Sequence, residues 1–227
     1  MSEPVAEGGA ATGQVERHKV GDRAYHWTMA LSVLILVGTG LSPMLEIKFA
    51  WVTIHWVAGV VLTAAVGVHM VRAPLFQDWR AMVIDIADIR NAWCSLRLAL
   101  GRTGPEPGKP GKYPILQKVY HLGAAVIVLL ATVTGLLMLA KLDTPFWKRD
   151  PYIFSDGTWG VIYVLHGLAA LSVITLIMVH IYFAVRPEKL WMTRSMFVGW
   201  ITRAEYDDHF DPTRWASDGD GPQAPGS

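Results

Sequence analysis

The sequence predicts an all-α membrane protein: a bundle of four transmembrane helices with an amphipathic surface helix in the connection 72–116. Hydrophobic residues make up 52% of the 227 residues and the mean hydropathy is positive, a composition typical of a small polytopic membrane protein. Four apolar runs reach the length of about 20 residues that a helix needs to cross a bilayer. They cover 25–45, 51–71, 116–140 and 160–185.

The two ends of the chain differ from this membrane domain, which we place at 21–186. Residues 1–20 are small and polar and lack the apolar core of a signal peptide, so they predict a disordered cytoplasmic leader. Pro187 ends the fourth span, and 187–215 is expected to form a surface helix, from Glu188 to Tyr206, and a tail. Residues 216–227 are rich in Gly, Pro and Asp and predict disorder.

Positive charge is distributed unevenly over the connections. Arg and Lys are in excess before the first span, in 72–116 and after the fourth span, whereas acidic residues offset them in the other two connections. The positive-inside rule therefore places both termini and the connection 72–116 in the cytoplasm. Within that connection, apolar residues recur at three- and four-residue steps and predict the surface helix: Trp79, Met82, Val83, Ile86, Ile89, Trp93 and Leu96.

Two histidines stand in the fourth apolar run. His166 and His180 are 14 residues apart, so in a helix they leave the same face and are separated by about 21 Å along its axis. Ionisable residues inside a membrane are costly, which makes them functional-site candidates. Cys94 is the only cysteine, which excludes an intramolecular disulfide, a zinc site built on paired cysteines and a thioether-linked haem.

Sorting the histidines by predicted depth groups them into two layers. The outer layer holds His55 and His166, which form a natural pair. The inner layer holds His180 with three candidate partners, His26, His69 and His121. Spacing alone favours His69, because His55 and His69 repeat the 14-residue interval of the fourth run. Geometry as a whole leaves His26 and His69 nearly equal as candidates.

Pairs of imidazoles at two depths of a four-helix bundle fit axial ligands of two stacked haem b groups. The alternative for each histidine is a buried imidazole bonded to a backbone carbonyl. Zinc or copper fits less well, because no carboxylate or thiol joins the histidines within a span. No nucleophile triad or phosphate-binding loop is present, so we predict no catalytic residue for a soluble substrate.

Several motifs resemble the b-type cytochrome (gamma) subunit of membrane-bound respiratory formate dehydrogenases, and the similarity extends over about 17–215. Sibling cytochromes of hydrogenases and of thiosulfate or polysulfide reductases share the histidine pattern. The motifs are DRAYHW (22–27), IHWVAG (54–59), MVR (70–72), GKYPILQK (111–118), VTG (133–135), LHGLA (165–169) and VHIYFA (179–184).

The resemblance implies that His55 and His166 hold the outer haem and that His26 and His180 hold the inner one. The family position that corresponds to His69 is usually apolar. His69 is therefore a departure, and we interpret it as an alternative inner ligand, a group next to the ligands or a proton carrier.

The resemblance also implies a quinone, menaquinone or ubiquinone, reduced near the inner haem. The candidate residues in that layer are Tyr113, Gln117, Lys118 and His121. The family carries an Asn and a Gly where this chain has Pro114 and Leu116, so a side-chain donor is missing, and His69 or His121 is our candidate for the lost contact.

The resemblance further implies that the chain transfers electrons to quinone from an extracytoplasmic iron–sulfur subunit, which a molybdenum or tungsten catalytic subunit supplies. The protein is expected in a bacterial or archaeal inner membrane, with lipid and no nucleic acid among its partners. Because a trimer is seen in the family, a higher oligomer of the whole complex is the expected assembly. The rivals are a cytochrome that oxidises quinol and donates outward to a terminal reductase, a hydrogenase-coupled cytochrome, and a transporter with histidine proton relays.

Overall fold

The computed structural model describes residues 13–76 and 79–215, and the described residues are mainly helical. Three 3-10 turns, Trp79–Met82, Leu139–Lys141 and Pro187–Lys189, join the longer elements. In chain order the α-helices and strands are β1 (Gln14–Glu16), α1 (Val20–Leu41), α2 (Trp51–Phe76), α3 (Ile86–Ala99), α4 (Ile115–Met138), α5 (Asp156–Ala184), α6 (Leu190–Val198), β2 (Trp200–Thr202) and α7 (Arg203–His209).

Four of the described helices, α1, α2, α4 and α5, are long and apolar enough to cross a membrane, which confirms the predicted number of spans. The boundaries differ from the prediction by four or five residues at four ends. α1 begins at Val20 instead of 25, and α5 begins at Asp156 instead of 160. α1 ends at Leu41, before the predicted limit of 45, because Pro43 cannot continue the hydrogen-bond ladder. α2 continues beyond 71 to Phe76 with Pro74 inside its last turn.

The chain divides into two compact units. The membrane unit comprises Ala24–Met82 and Leu116–Phe183 and therefore contains the spanning helices apart from a few terminal residues. The second unit, which we call the strand unit, draws its described residues from Met1–Arg23, Val83–Ile115 and Ala184–Ser227.

The strand unit is built around a two-stranded sheet. β1 pairs antiparallel with β2, with Val15 opposite Ile201. Val15 and Ile201 are buried with Tyr206 and Phe210, and Trp191 and Trp215 pack against this cluster. The prediction of a disordered leader is therefore wrong for 14–16. This segment is a strand of the sheet, and Val15 is buried in the core beside it. Residues 1–12 and 216–227 lie outside the described residues.

A buried cation completes this core. Arg17 is 2% exposed, and its guanidinium carbon lies 5.0 Å from the ring centroid of Phe210, 5.6 Å from that of Trp191 and 5.8 Å from that of Trp215. Burial lowers the pKa of Arg17 to about 10, so the side chain stays charged at neutral pH. The aromatic faces therefore offer a favourable site for a charge that burial would otherwise destabilise.

The single surface helix predicted from Glu188 to Tyr206 is wrong, because the segment folds as α6, β2 and α7. Gly199 ends α6 in the left-handed conformation, with φ of 95°. A Cβ atom there would lie 2.9 Å from the backbone oxygen of His18, so only glycine fits without displacing the chain. α7 then begins at a capping box between Thr202 and Glu205.

The predicted surface helix of the connection 72–116 is present, but it begins at Ile86 instead of Trp79. Asp85 is its N-cap and accepts a hydrogen bond from the backbone N–H of Asp88, whose side chain accepts one from the N–H of Asp85. Residues 79–82 form a separate 3-10 turn. The apolar stripe of α3 is exposed, as expected for a helix at a membrane surface, and comprises Ile86, Ile89, Trp93 and Leu96.

Candidate haem-binding sites

The predicted outer pair comes together between α2 and α5. The ring centroids of His55 and His166 are 6.4 Å apart and the ring planes make an angle of 73°. With metal–nitrogen bonds of about 2.05 Å and about 1.1 Å from nitrogen to ring centroid, two imidazoles on opposite sides of one metal have centroids about 6.3 Å apart. The observed spacing matches that arrangement.

A threonine stands behind each of these two rings. The hydroxyl of Thr39 donates to the carbonyls of Ile35 and Leu36, at 2.7 and 3.2 Å, and lies 2.8 Å from Nδ1 of His55. A hydroxyl has one proton, and its two carbonyl contacts assign that proton to the helix backbone. We therefore assign Nδ1 of His55 as the donor to the Thr39 oxygen. Nε2 is then the unprotonated nitrogen, with a lone pair for a metal.

The second half of the site repeats this geometry. The hydroxyl of Thr134 donates to the carbonyls of Leu130 and Ala131, at 2.6 and 3.1 Å, and lies 2.9 Å from Nδ1 of His166. The same assignment leaves a lone pair on Nε2 of His166. Both threonines are buried, which protects the two hydrogen bonds from competition by water.

Each threonine is followed by a glycine that lies against the ring. A Cβ atom at Gly40 would lie 3.6 Å from Cε1 of His55, an ordinary contact. At Gly135 it would lie 3.3 Å from Cε1 of His166, closer than most Cβ contacts. The sequence Thr-Gly thus supplies a hydrogen-bond acceptor and room for the imidazole on both helices.

The inner pair implied by the family resemblance also comes together. The ring centroids of His26 and His180 are 6.2 Å apart, with an angle of 43° between planes. Nδ1 of His26 is buried without a hydrogen-bond partner among the described residues. Tyr120 stacks on His180 at 5.8 Å and donates a hydrogen bond to the carbonyl of Leu176, at 3.0 Å, which fixes its ring beside the pair.

The other two inner histidines form a further pair. The ring centroids of His69 and His121 are 6.0 Å apart, with an angle of 68° between planes, and Tyr25 stacks on His69 at 5.1 Å. His69 thus contacts His121 rather than taking the place of His26 beside His180.

An internal repeat, which the sequence analysis missed, relates these sites. In α1, Tyr25 and His26 precede Thr39 and Gly40, and in α4, Tyr120 and His121 precede Thr134 and Gly135 at identical spacing. α2 and α5 correspond in the same way, because His55 and His69 in α2 have the same 14-residue spacing as His166 and His180 in α5. Each half of the repeat therefore consists of two helices, α1 with α2 and α4 with α5. An alignment of 23–41 with 118–136 would have revealed Thr39 and Thr134 as site residues.

The predicted quinone residues are divided between the two units. Tyr113 belongs to the strand unit, where Nζ of Lys112 lies 5.7 Å from its ring centroid. Gln117, Lys118 and His121 belong to α4 in the membrane unit, where Lys118 is buried and Gln117 is half-buried.

The donor atoms decide which group fits. Among the described residues, no three His, Cys, Asp or Glu side chains are placed to hold a metal ion together. A structural zinc site needs four protein ligands, whereas haem brings four equatorial nitrogens and asks the protein only for axial ligands. The outer pair, whose two Nε2 atoms are assigned lone pairs, therefore fits haem.

Comparison with known proteins agrees with this chemistry. The cytochrome b556(fdo) subunit of formate dehydrogenase from Escherichia coli K12 is 27% identical over 215 residues, covering 88% of this chain and 91% of that protein. The formate dehydrogenase cytochrome b556 subunit of Haemophilus influenzae is 26% identical over 206 residues, covering 83% and 77%. The predicted resemblance is thereby confirmed. The model of the prokaryotic cytochrome b561 family matches residues 17–199, and the chain belongs to that family.

Proposed function

We propose that this chain is the haem b subunit of a formate-dehydrogenase-type complex and passes electrons across the membrane to quinone. The observation that carries the proposal is the outer pair, in which Thr39 and Thr134 leave Nε2 of His55 and His166 available to a metal. The names of the relatives and the four spans support the complex and its membrane location.

Each histidine has one role in this proposal. His55 and His166 hold one haem b through Nε2, and His26 and His180 hold a second one. When bound, haem supplies one-electron exchange at its iron. Thr39 and Thr134 orient the outer imidazoles and strengthen them as ligands, because an accepted Nδ1–H proton raises the basicity of Nε2.

The donor is an extracytoplasmic iron–sulfur subunit, fed by a molybdenum or tungsten catalytic subunit. The connection between α4 and α5 is the proposed docking surface, because it exposes two large aromatic side chains, Phe146 by 80% and Tyr152 by 91%. It is also ordered: the indole N–H of Trp147 donates to the carbonyl of Leu139 at 3.2 Å, and Thr144 accepts from two backbone N–H groups. Aromatic residues on a fixed loop are typical of interface anchors.

The acceptor is a quinone at the cytoplasmic end of the bundle. Quinone reduction consumes protons, so its site needs groups that can deliver them. Gln117 and His121 lie on the first turns of α4, and Lys118 adds a buried positive charge that favours a reduced, anionic quinone. Protons are taken up on this side while electrons enter from the other side. Each turnover therefore generates a membrane potential.

Absorption spectroscopy on the membrane-embedded complex tests the proposal. The reduced wild-type protein should show the α-band of haem b, formate should reduce it, and added quinone should reoxidise it. His166→Ala and His180→Ala should each lower the haem content by one per chain, whereas His209→Gln, in α7 of the strand unit, should leave it unchanged.

Two results would contradict the proposal. A colourless complex would exclude a cytochrome and favour a transporter with histidine relays. Haem reduction by quinol but not by formate would reverse the direction of electron flow, as in a cytochrome that serves a terminal reductase.

A further inference from the structure

We propose that Lys141 is the cation that raises the midpoint potential of the outer haem, so that the haem at which electrons enter is easier to reduce. This inference rests on the proposed function, in which His55 and His166 hold that haem. Lys141 is the last residue of the 3-10 turn that follows α4 and belongs to the membrane unit.

Two aromatic rings of α5 hold the ammonium group of this lysine. Nζ of Lys141 lies 4.5 Å from the ring centroid of Trp159 and 5.1 Å from that of Tyr163. The two rings stack on each other at 6.3 Å, with 29° between planes. Because aromatic faces attract cations, the pair of rings fixes the position of the charge.

The ring of Trp159 is itself held in place. It is 2% exposed, its indole N–H donates to the carbonyl of Pro151 at 2.8 Å, and Phe154 makes an edge contact with it at 5.2 Å. A lysine at the end of a span ordinarily extends its head group into water. Lys141 is half-buried and lies against a buried ring instead, so water screens its charge less than that of an exposed lysine.

The contacts between α4 and α5 place this charge about two helical turns from the outer pair. Gly135 lies against His166. Six residues farther along α4, Lys141 lies against Trp159 and Tyr163. These two aromatic residues precede His166 by seven and three residues and therefore share a face of α5 with it. Seven residues of helix span about 10 Å, so the ammonium group lies on the order of 10 Å from the outer site.

No carboxylate of the described residues forms an ion pair with Lys141. Two acidic side chains of the following connection bind the backbone instead. Asp143 accepts a hydrogen bond from the N–H of Arg149 at 3.2 Å, and Asp150 accepts one from the N–H of Tyr152 at 2.9 Å. The charge of Lys141 is therefore not cancelled by an acidic partner of this chain.

The sign of the effect follows from the charge of the iron. Reduction of the haem adds one electron, which a nearby positive charge stabilises. With an effective dielectric constant of about 20, a unit charge on the order of 10 Å away shifts this equilibrium roughly tenfold. For a one-electron couple, tenfold corresponds to about 59 mV.

Redox titration of the membrane-embedded complex tests the inference. Lys141→Met should lower the midpoint potential of one haem by about 59 mV, and Lys141→Glu should lower it about twice as far. Lys141→Arg keeps the charge and can stack on the same rings, so it should retain the wild-type potential. Lys141→Gln removes the charge with a polar side chain and replaces Lys141→Met if that variant assembles poorly.

Two comparisons assign the effect to the fixed charge near the outer haem. The potential that changes should be the one that is missing from His166→Ala, and the other should stay constant. Lys48→Met is the matched control, because it removes a lysine charge from an exposed side chain of the connection between α1 and α2, and it should leave both potentials unchanged. A lysine that only fixed its own connection would not order the potentials by charge.

Equal potentials in the wild-type complex and in haem-containing complexes of the uncharged variants would overturn the role of Lys141 and leave the proposed function intact. A shift of the other haem, or an equal shift in Lys141→Arg, would also overturn it. A wild-type complex without haem would instead contradict the proposed function itself.

Discussion

At the scale of single residues, one oxygen atom on each side determines the chemistry of the outer site. The hydroxyl of Thr39 donates a hydrogen bond to a backbone carbonyl of its own helix. Its oxygen also accepts a hydrogen bond from Nδ1–H of His55. A backbone bond of this type is common for threonine within helices. Here that bond takes the only proton of the hydroxyl, so the oxygen is assigned as the acceptor and Nδ1–H of the ring as the donor.

Removing that oxygen should weaken the outer site selectively. Thr39→Val and Thr134→Val keep the shape of the side chain but take away the acceptor for Nδ1–H. We expect each variant to bind the outer haem on the order of 10-fold more weakly, since loss of such supporting hydrogen bonds typically costs 10–100-fold. The midpoint potential of the haem that remains should rise, because a less basic imidazole stabilises the oxidised iron less.

Redox titration and haem retention measure both effects. Thr39→Ser and Thr134→Ser keep the hydroxyl and are the matched controls, for which we expect wild-type values. Unchanged potentials in the valine variants would show that the threonines do not support the ligands.

The histidines could be predicted from the sequence, but the threonines could not be predicted from spacing alone. An ionisable side chain in an apolar run is conspicuous because its burial is costly. A threonine in the same run is unremarkable, since its hydroxyl can be satisfied by its own helix. Its role depends on an imidazole brought to it by a different helix, which no local pattern encodes.

At the scale of elements, the N-terminus of α3 depends on a contact with the far end of the chain. Arg214 donates to Asp85 and to Asp88, at 2.9 Å in both cases, and the side chain of Asp88 is 2% exposed. The backbone N–H of Asp88, and then Arg214, lower the pKa of Asp85. Its stabilising contribution is therefore present above the unfolded pKa and is lost as the pH falls through the folded value.

Arg214→Ala should destabilise the strand unit by about 2–3 kcal/mol, somewhat less than is usual for one partner of a buried ion pair, because Arg214 is partly exposed and Asp88 retains its backbone bond. Faster hydrogen exchange at the amides of α3 is the measurement. Arg203→Ala removes an exposed pair with Asp207 and should cost less than about 1 kcal/mol. Equal exchange in the two variants would contradict a special role for Arg214.

The elements also show where sequence patterns fail. Long apolar runs predict the spans, because composition and length alone define them. β1 and β2 have three residues each and lie far apart in the chain, so their pairing depends on a tertiary contact. The start of α3 was also predicted wrongly, because the apolar spacing already begins at Trp79. The side chain of Asp85 caps the helix, which therefore begins only at Ile86.

At the scale of the whole chain, the repeat describes the membrane unit as two related helix pairs, α1 with α2 and α4 with α5. Their outward side chains are apolar and exposed, as Leu31, Val68 and Leu171 illustrate at 62%, 58% and 62%. Such surfaces are stable in lipid rather than in water. The helix pairs are separated by the segment that contains α3, where positive charge is concentrated.

That charge distribution leads to a prediction of topology. The cytoplasm should contain α3, because Arg and Lys outnumber acidic residues in its connection, and the loop between α4 and α5 should face the opposite side. Cys94 in α3 is the only cysteine and is partly exposed, so it reports on the first of these segments. A membrane-impermeant maleimide should label it in inside-out vesicles and not in intact spheroplasts. In a Cys94→Ser background, Lys148→Cys places the single thiol in the other loop and should give the reverse pattern. Labelling of both thiols from the same side would contradict an odd number of spans between them, and with it the assignment of His55 and His166 to the outer layer.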